Sequence, residues 1–442
     1  MTRILIPSGA LGLGYDKTAL ERGIAAKPDL IAIDGGSTDS GPSYLGRGVS
    51  KYSRASTKIE WAGLIDAAQR AGCPLVIGTA GTCGADSAVD WLVGITEEIL
   101  RERGATLRVA ILKSGQTEIK AAALAPLHPA PEIDDALLAD CTNIVALAGA
   151  EQIQAALDTG ADIVIAGRTT DTAIIAALPL QRGCHPGGAW HGAKIGECGA
   201  LCATNPQSGV ILVDFDAEGF TVTPLADGAH ATPHTVSAHM LYENSDPFIL
   251  YEPGGHLDVT GAHYDALDDR RVRVTGSQWV PGRYSVKLEG ARRVGYQSVL
   301  LTLLRDRRYV ENAPAWCDDI LTKCRAKAEA RLGTDAFEIE LRIIGRDATL
   351  GALENRANGA VELGVMGIVT AQTPELVDEI GKMLNPYLLH HPLTPEEEQP
   401  TFAFPFSPAE IERGEIYEFC LNHVLPLEHP MDAFRLEVRE IG

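Results

Sequence analysis

The stretch LIAIDGGSTDSGPSYLGRG, Leu30–Gly48, decides how the chain is read. Its opening, Leu30–Ile33, is an unbroken apolar run, the signature of a strand buried on both faces as in a parallel sheet. The run passes directly into Asp34-Gly35-Gly36-Ser37-Thr38-Asp39, where no apolar period survives. Gly permits φ > 0 and a close backbone approach to a ligand, while Ser, Thr and Asp supply hydroxyls and carboxylates. A polar loop at the carboxyl end of a parallel strand is where open α/β sheets hold ligands. The stretch therefore reads as the floor of an active site, with an ordinary surface turn as the alternative.

The same unit recurs on either side. Ile4–Ile6 precedes Ser8–Gly14, Leu75–Ile77 precedes Gly78–Asp86, and Val109–Leu112 precedes Lys113-Ser114-Gly115. Ile144–Leu147 and Ile163–Ile165 end in Ala148–Glu151 and Ala166–Asp171. Six strands alternating with helices predict an α/β chain with a doubly wound, mainly parallel sheet whose turns gather at one edge. The expected division is a Gly-turn-rich α/β domain over 1–205, a second α+β domain over 206–385, and a linker with a small β-rich C-terminal domain over 386–442. Within the middle region, Val210–Phe215 and Phe220–Pro224 read as a hairpin around Asp216–Gly219. Thr232-Pro233 reads as the start of a helix over His234–Glu243.

The chain has 442 residues, a net charge of −21 and a pI near 5.0. Such an acidic balance speaks against nucleic acid and against an anionic membrane surface. A local cluster of cations or amides can still hold an anionic substrate. Arg3 leads straight into a strand, so no signal peptide is expected, and no apolar run reaches membrane-spanning length. Nine scattered cysteines without CxxC spacing suggest reduced thiols and a cytoplasmic location.

At IAIDGGSTDSGP, GTAGTCGAD, the Gly167–Asp171 turn, LYENSDPFILYEP, RVRVTG and VKLEGARRVGY, the chain resembles the acyclic terpene utilisation AtuA family. The tail LNHVLPLEHPMDAFRLEVREI is similar to a small companion domain of that family. Members often carry a Gly-rich stretch where this chain has Gly228–His234. The resemblance implies catabolism of branched acids beside coenzyme A chemistry, by hydratases or lyases. The expectation is thus a hydratase/dehydratase (hydro-lyase) acting on a small branched hydroxy- or unsaturated carboxylic acid or its CoA thioester, in a homo-oligomer. The alternatives are a lactone-type hydrolase and a non-catalytic metabolite-binding subunit.

Three turns, Gly9–Gly14, Gly78–Asp86 and Gly167–Asp171, can hold anions through amides at helix starts. None is a P-loop, and the first is GxxGxG rather than the dinucleotide pattern. Asp39, Lys113 and Asp34 are the candidate acid–base groups, since paired carboxylates or a desolvated Lys acquire shifted pKa values. Their structural alternatives are a capped turn for Asp34 and a solvent-facing strand end for Lys113. Arg168 can fork onto a substrate carboxylate, or else form an internal ion pair with Asp171. Thr79, Gly81 and Thr82 would bind substrate with them, and the Ser37 and Thr38 hydroxyls would orient the leaving oxygen. No metal ligand set is assigned, although Asp34 and Asp39 could instead hold a divalent metal such as magnesium. Cys83, at a helix start, or a metal-bound water would be the nucleophile of the lactone-hydrolase alternative. His185, His191, His230, His234, His239, His256 and His263 match no zinc spacing. Glu243, Asp246 and Tyr251 either close over the cleft or mark a hinge.

Overall fold

The protein is described by a computed structural model covering residues 1–356 and 359–442. The chain is mixed α/β and forms two compact units, Met1–Arg292 with Glu418–Gly442, and Arg293–Tyr417.

The first unit holds a ten-stranded sheet. Its strands are β1 Thr2–Ile6, β2 Leu30–Asp34, β3 Leu75–Gly78, β4 Leu107–Lys113, β5 Ile163–Ala166, β6 Ile211–Phe215, β7 Gly219–Pro224, β8 His263–Ala266, β9 Val272–Thr275 and β10 Arg435–Ile441. They lie in the order β8-β9-β7-β6-β1-β2-β3-β5-β4-β10. The pairs β1–β2, β2–β3, β3–β5 and β5–β4 are parallel; the remaining pairs are antiparallel.

Strand alternation explains why the parallel strands read as continuous apolar runs. Leu5, Ile31, Ile33, Leu75, Ile77 and Ile165 face one core with helices Lys17–Ala25, Arg54–Ala71 and Asp86–Arg103. Ile4, Ile6, Leu30, Ala32, Val76 and Val164 face another with helices Ala150–Leu157, Ala173–Gln181 and Pro186–Gly196. Each face needs apolar side chains, so neither phase of the alternation is polar.

Several expectations change. Of the six expected parallel strands, five join this sheet. The sixth, Cys141–Ala146, pairs antiparallel with Leu288–Arg292 of the long strand Ser285–Leu304. The β4 edge it would have joined is already covered by the C-terminal β10. The β6–β7 hairpin forms as expected, its turn held by Asp216 Oδ1 accepting from Glu218 and Gly219 amides. It extends the first sheet past residue 205, and the compact units divide after Arg292 and after Tyr417. The helix after Thr232 runs only Pro233–His239, with the Thr232 hydroxyl accepting from the Thr235 amide at 3.1 Å.

The second unit packs helices Ala313–Leu332 and Pro374–His390 on antiparallel strands Phe337–Ile344 and Leu363–Ala371. Trp316, Ile320, Val365, Val369, Ile380 and Leu384 form its core. Among the described residues no helix is long and apolar enough to cross a membrane.

Two turns at the carboxyl edge of the sheet meet where only glycine fits. Gly84 has φ +65°, and a Cβ there would lie 2.2 Å from the Arg168 amide nitrogen. Gly84→Ala should therefore cost on the order of 2–4 kcal/mol, read as a lower urea midpoint at unchanged slope.

Candidate functional site

The carboxyl ends of β1, β2 and β5 bring their turns to a cavity of about 510 Å³. Its wall includes Ser8, Gly9 and Ala10 after β1, Asp34, Gly36 and Ser37 after β2, and Asp171 after β5. Glu197 and Cys198, just past helix Pro186–Gly196, and Tyr242 and Glu243 complete the acidic side. All belong to the first unit.

Behind this wall lies Arg168, only 7% exposed. Its Nε and Nη2 donate to the two Glu289 oxygens at 3.0 and 3.2 Å, a fork on a carboxylate that is itself buried. Its Nη1 donates to Thr79 Oγ1 at 3.1 Å, to the Thr169 carbonyl at 2.9 Å and to Asp171 Oδ1 at 3.4 Å. Thr38 Oγ1 donates to Glu289 Oε2 at 3.0 Å. The expected fork thus falls on the protein's own Glu289, and Arg168 has no free edge for a substrate carboxylate. Burial disfavours the Glu289 carboxylate, yet Arg168 and the hydrogen bonds more than offset it, leaving its pKa below the usual range.

The turns expected to cradle an anion are also engaged internally. Gly12 and Gly14 amides donate to Glu60 Oε2 at 2.8 and 3.4 Å. Thr79, Ala80, Thr82 and Gly84 amides donate to the carbonyls of Gly167, Ala166, Thr79 and Ala80. Gly167 donates to Leu112, Arg168 to the Ser114 hydroxyl, and Thr170 to Ala148. Thr79 and Thr82 take φ of +47° and +76°, uncommon for β-branched residues, within this tightly bonded junction.

The acid–base candidates separate. Asp34 is enclosed at the end of β2, with Oδ1 lacking a hydrogen-bond partner among the described residues. Burial, then repulsion from Asp171, pushes its carboxyl well above the usual range against Arg168 and the Gly35 and Gly36 amides. Asp171 is likewise raised, by burial first, against Arg168 and with repulsion from Asp39. Asp39 itself is exposed, its amide donating to Ser37 Oγ at 2.9 Å. Lys113 is absent from the cavity wall and pairs with Asp90 at 2.7 Å. Gly81 packs toward Ala88, and Thr82 Oγ1 accepts from the Lys51 amide at 3.0 Å; neither lines the cavity. Asp34, Ser37 and Asp171 are therefore brought together, whereas Lys113, Gly81 and Thr82 are not.

Cys83 is buried, and burial raises its thiol despite the helix start. The cysteine on the cavity is Cys198. His191 is enclosed between Ser277 Oγ at 2.7 Å and the Tyr264 hydroxyl at 3.2 Å, and burial lowers it to about 3. His185 accepts from the Gly188 amide. Asp246 accepts from the Phe248 and Ile249 amides, while Glu243 reaches the cavity.

Sequence reasoning missed Glu289, Lys194, Glu197, Cys198 and Glu252. Glu289 carried a signal, an acid between apolar neighbours in VKLEGA. Lys194 and Glu197 carried another, an i,i+3 pair of opposite charge in which Lys194 Nζ donates to Glu197 Oε1. Burial pushes Glu197 up to about 8 and Glu252 to about 7, the latter against hydrogen bonds from Thr172 and Thr170.

A family profile described as acyclic terpene utilisation family protein AtuA matches residues 54–182 and 197–407, well over half of the chain. The match begins beyond Asp34 and ends before the tail that resembled a companion domain. Searches of curated proteins and of solved structures return no match.

Glu289→Ala leaves the Arg168 guanidinium buried with its fork empty and should cost about 3–5 kcal/mol in urea unfolding. Glu252 gives a pH signature of opposite sign to an ordinary ion-paired carboxylate. Between pH 4.5 and about 7 the folded chain retains a proton that the unfolded chain releases, so stability falls as pH rises through that window. Glu252→Gln should remove this loss, gaining up to about 3 kcal/mol over the parent at pH 8 in parallel melts.

Proposed function

The chain belongs to the acyclic terpene utilisation family AtuA, and we propose that it acts there as a hydratase or dehydratase of a small branched acyl compound, preferably its CoA thioester. The observation that carries this reading is the pair Asp34 and Asp171, two carboxyls on one cavity, each held above its ordinary pKa. Two such neighbouring carboxyls share protons as a pair, and the charge of one disfavours ionisation of the other. Arg168 donates to Asp171 and makes no hydrogen bond to Asp34, which favours the ionised form on Asp171.

Removing water from a β-hydroxyacyl group requires a base for the proton beside the carbonyl and an acid for the departing hydroxyl. Asp171 takes the proton from carbon, and Asp34 gives its proton to the hydroxyl, which leaves as water. Addition of water reverses both transfers. Ser37, on the same wall, orients the oxygen. A neutral thioester carbonyl enters a carboxyl-lined cavity at lower electrostatic cost than a free carboxylate, especially with Arg168 bound to Glu289. The cavity has the size of a small-ligand site. Read as doubly wound, the sheet leaves the carboxyl edge of β1 and β2 for the ligand. Lactone opening by a Cys83 nucleophile is the weaker reading because Cys83 is buried and its thiol pKa is raised.

The purified chain should interconvert branched 3-hydroxyacyl- and 2-enoyl-CoA esters, followed by the conjugated enoyl absorbance. Asp34→Asn should lower kcat by about 10²–10⁴ with its unfolding midpoint kept or raised, whereas Asp39→Asn should stay within a few-fold of the parent. An undiminished kcat in Asp34→Asn would overturn the assignment. Binding without conversion would favour the metabolite-binding subunit.

A further inference from the structure

Loss of a proton beside a carbonyl builds negative charge on the carbonyl oxygen, which something must stabilise. The Arg168 guanidinium and the amides of Gly12, Gly14, Thr79, Ala80, Thr82, Gly84, Gly167 and Thr170 are bonded within the protein. Beside the acidic wall lies the cluster Glu197, Cys198 and His239.

One ligating atom from each of these three lies within 4.8 Å of the others. Glu197 and Cys198 line the cavity. His239 is the last residue of helix Pro233–His239, is 5% exposed, and its Nε2 has no hydrogen-bond partner among the described residues. Its ring stacks on Tyr242 at 5.5 Å and 13°, which restricts its orientation. A buried ring nitrogen without a partner costs about 1–3 kcal/mol and calls for an explanation. The neighbouring charge suits a cation. Asp171, Glu243 and Glu252 act on Glu197 or Cys198, against the single ammonium of Lys194, which donates to Glu197 Oε1 and also acts on Cys198 and His239.

We propose that Glu197, Cys198 and His239 bind one divalent transition-metal ion of the zinc class, with its remaining position open to the cavity. A carboxylate, a thiolate and an imidazole form an O, S, N donor set that suits zinc or cobalt and disfavours magnesium, which takes oxygen. Three protein ligands with one position open is the arrangement of catalytic rather than structural zinc. With bonds of about 2.0–2.3 Å, tetrahedral ligand atoms sit ~3.5 Å apart, so closing the site requires side-chain movements of about an ångström. Glu197 and Cys198 follow the end of the helix at Gly196, and Gly199 at φ +60° turns the chain away. On binding, the Cys198 thiol releases its proton to solvent. The ion would polarise the acyl carbonyl as a Lewis acid; that role, though not the binding, rests on the acid–base reading above.

The test is the full chain purified without chelator, its metal content measured by plasma mass spectrometry, then stripped and reloaded with Co²⁺. About one equivalent per chain and a near-ultraviolet thiolate-to-cobalt charge-transfer band are expected in the parent, a result that needs no variant. Cys198→Ala should lose that band, and His239→Ala should weaken Co²⁺ at least about tenfold, while Cys73→Ser retains both. Far-substoichiometric binding, a Co²⁺ complex without the thiolate band, or equal affinity in Cys198→Ala and His239→Ala would overturn the site. Loaded protein that binds acyl-CoA without converting it would sink the hydro-lyase reading and leave the site standing. Chelator-treated protein with full turnover and no cobalt band would do the reverse.

Discussion

The candidate site depends on the buried fork between Arg168 and Glu289. A guanidinium withdrawn from water is tolerable only when a carboxylate meets it with good geometry and its remaining N–H groups find acceptors. Glu289 supplies both oxygens, and Thr79, the Thr169 carbonyl and Asp171 take Nη1. Through this one group the turn after β3, the turn after β5 and the strand Ser285–Leu304 are tied together. The positive φ of Thr79 fits the same constraint, since its hydroxyl accepts from Arg168. Arg168 thereby also holds Asp171 through Nη1 and opposes the upward pull of burial on its pKa.

In front of that fork, the protein gathers carboxyls that repel one another. Asp34, Asp171, Glu197 and Glu252 all have pKa values raised by burial, and each feels at least one of the others or Glu243. Such an arrangement opposes folding above neutral pH and contributes nothing to the core. Perturbed carboxyls concentrated on one cavity are more readily understood as equipment for proton transfer or cation binding. The surface pairs elsewhere, such as Arg70 with Glu21 or Lys382 with Asp378, are exposed and add little to stability.

The unbroken apolar runs LIAID, LVIG and IVIA and their like, each followed by a Gly-bearing turn, were enough to place five parallel strands and to bring their turns to one edge. These signals are local: a strand buried on both faces must be apolar at every position, and a turn at φ > 0 selects glycine. For the same reason the sequence could place Asp34, Ser37 and Asp171 in turns of that edge, where they line one cavity. Partners hundreds of positions away were not. No pattern near Cys141–Ala146 reveals that β10, at the far end of the chain, already covers the β4 edge. Nor does the Gly167–Asp171 turn reveal that Glu289 awaits Arg168, or that Lys113 lies against Asp90.

The sequence by itself determined the parallel-strand core, the acidic character of the protein, and which Gly-bearing turns follow the strands, because these follow from residue periodicity and composition. Tertiary structure alone decided which charges are satisfied internally and which remain on the cavity. It turned Arg168 and several of the glycine-turn amides toward the protein, left Asp34 Oδ1 and His239 Nε2 without hydrogen-bond partners among the described residues, and placed Glu197 and Cys198 beside His239. The physical reason is that hydrogen bonding and desolvation depend on distances between segments remote in sequence, whereas strand and turn preferences are set by immediate neighbours.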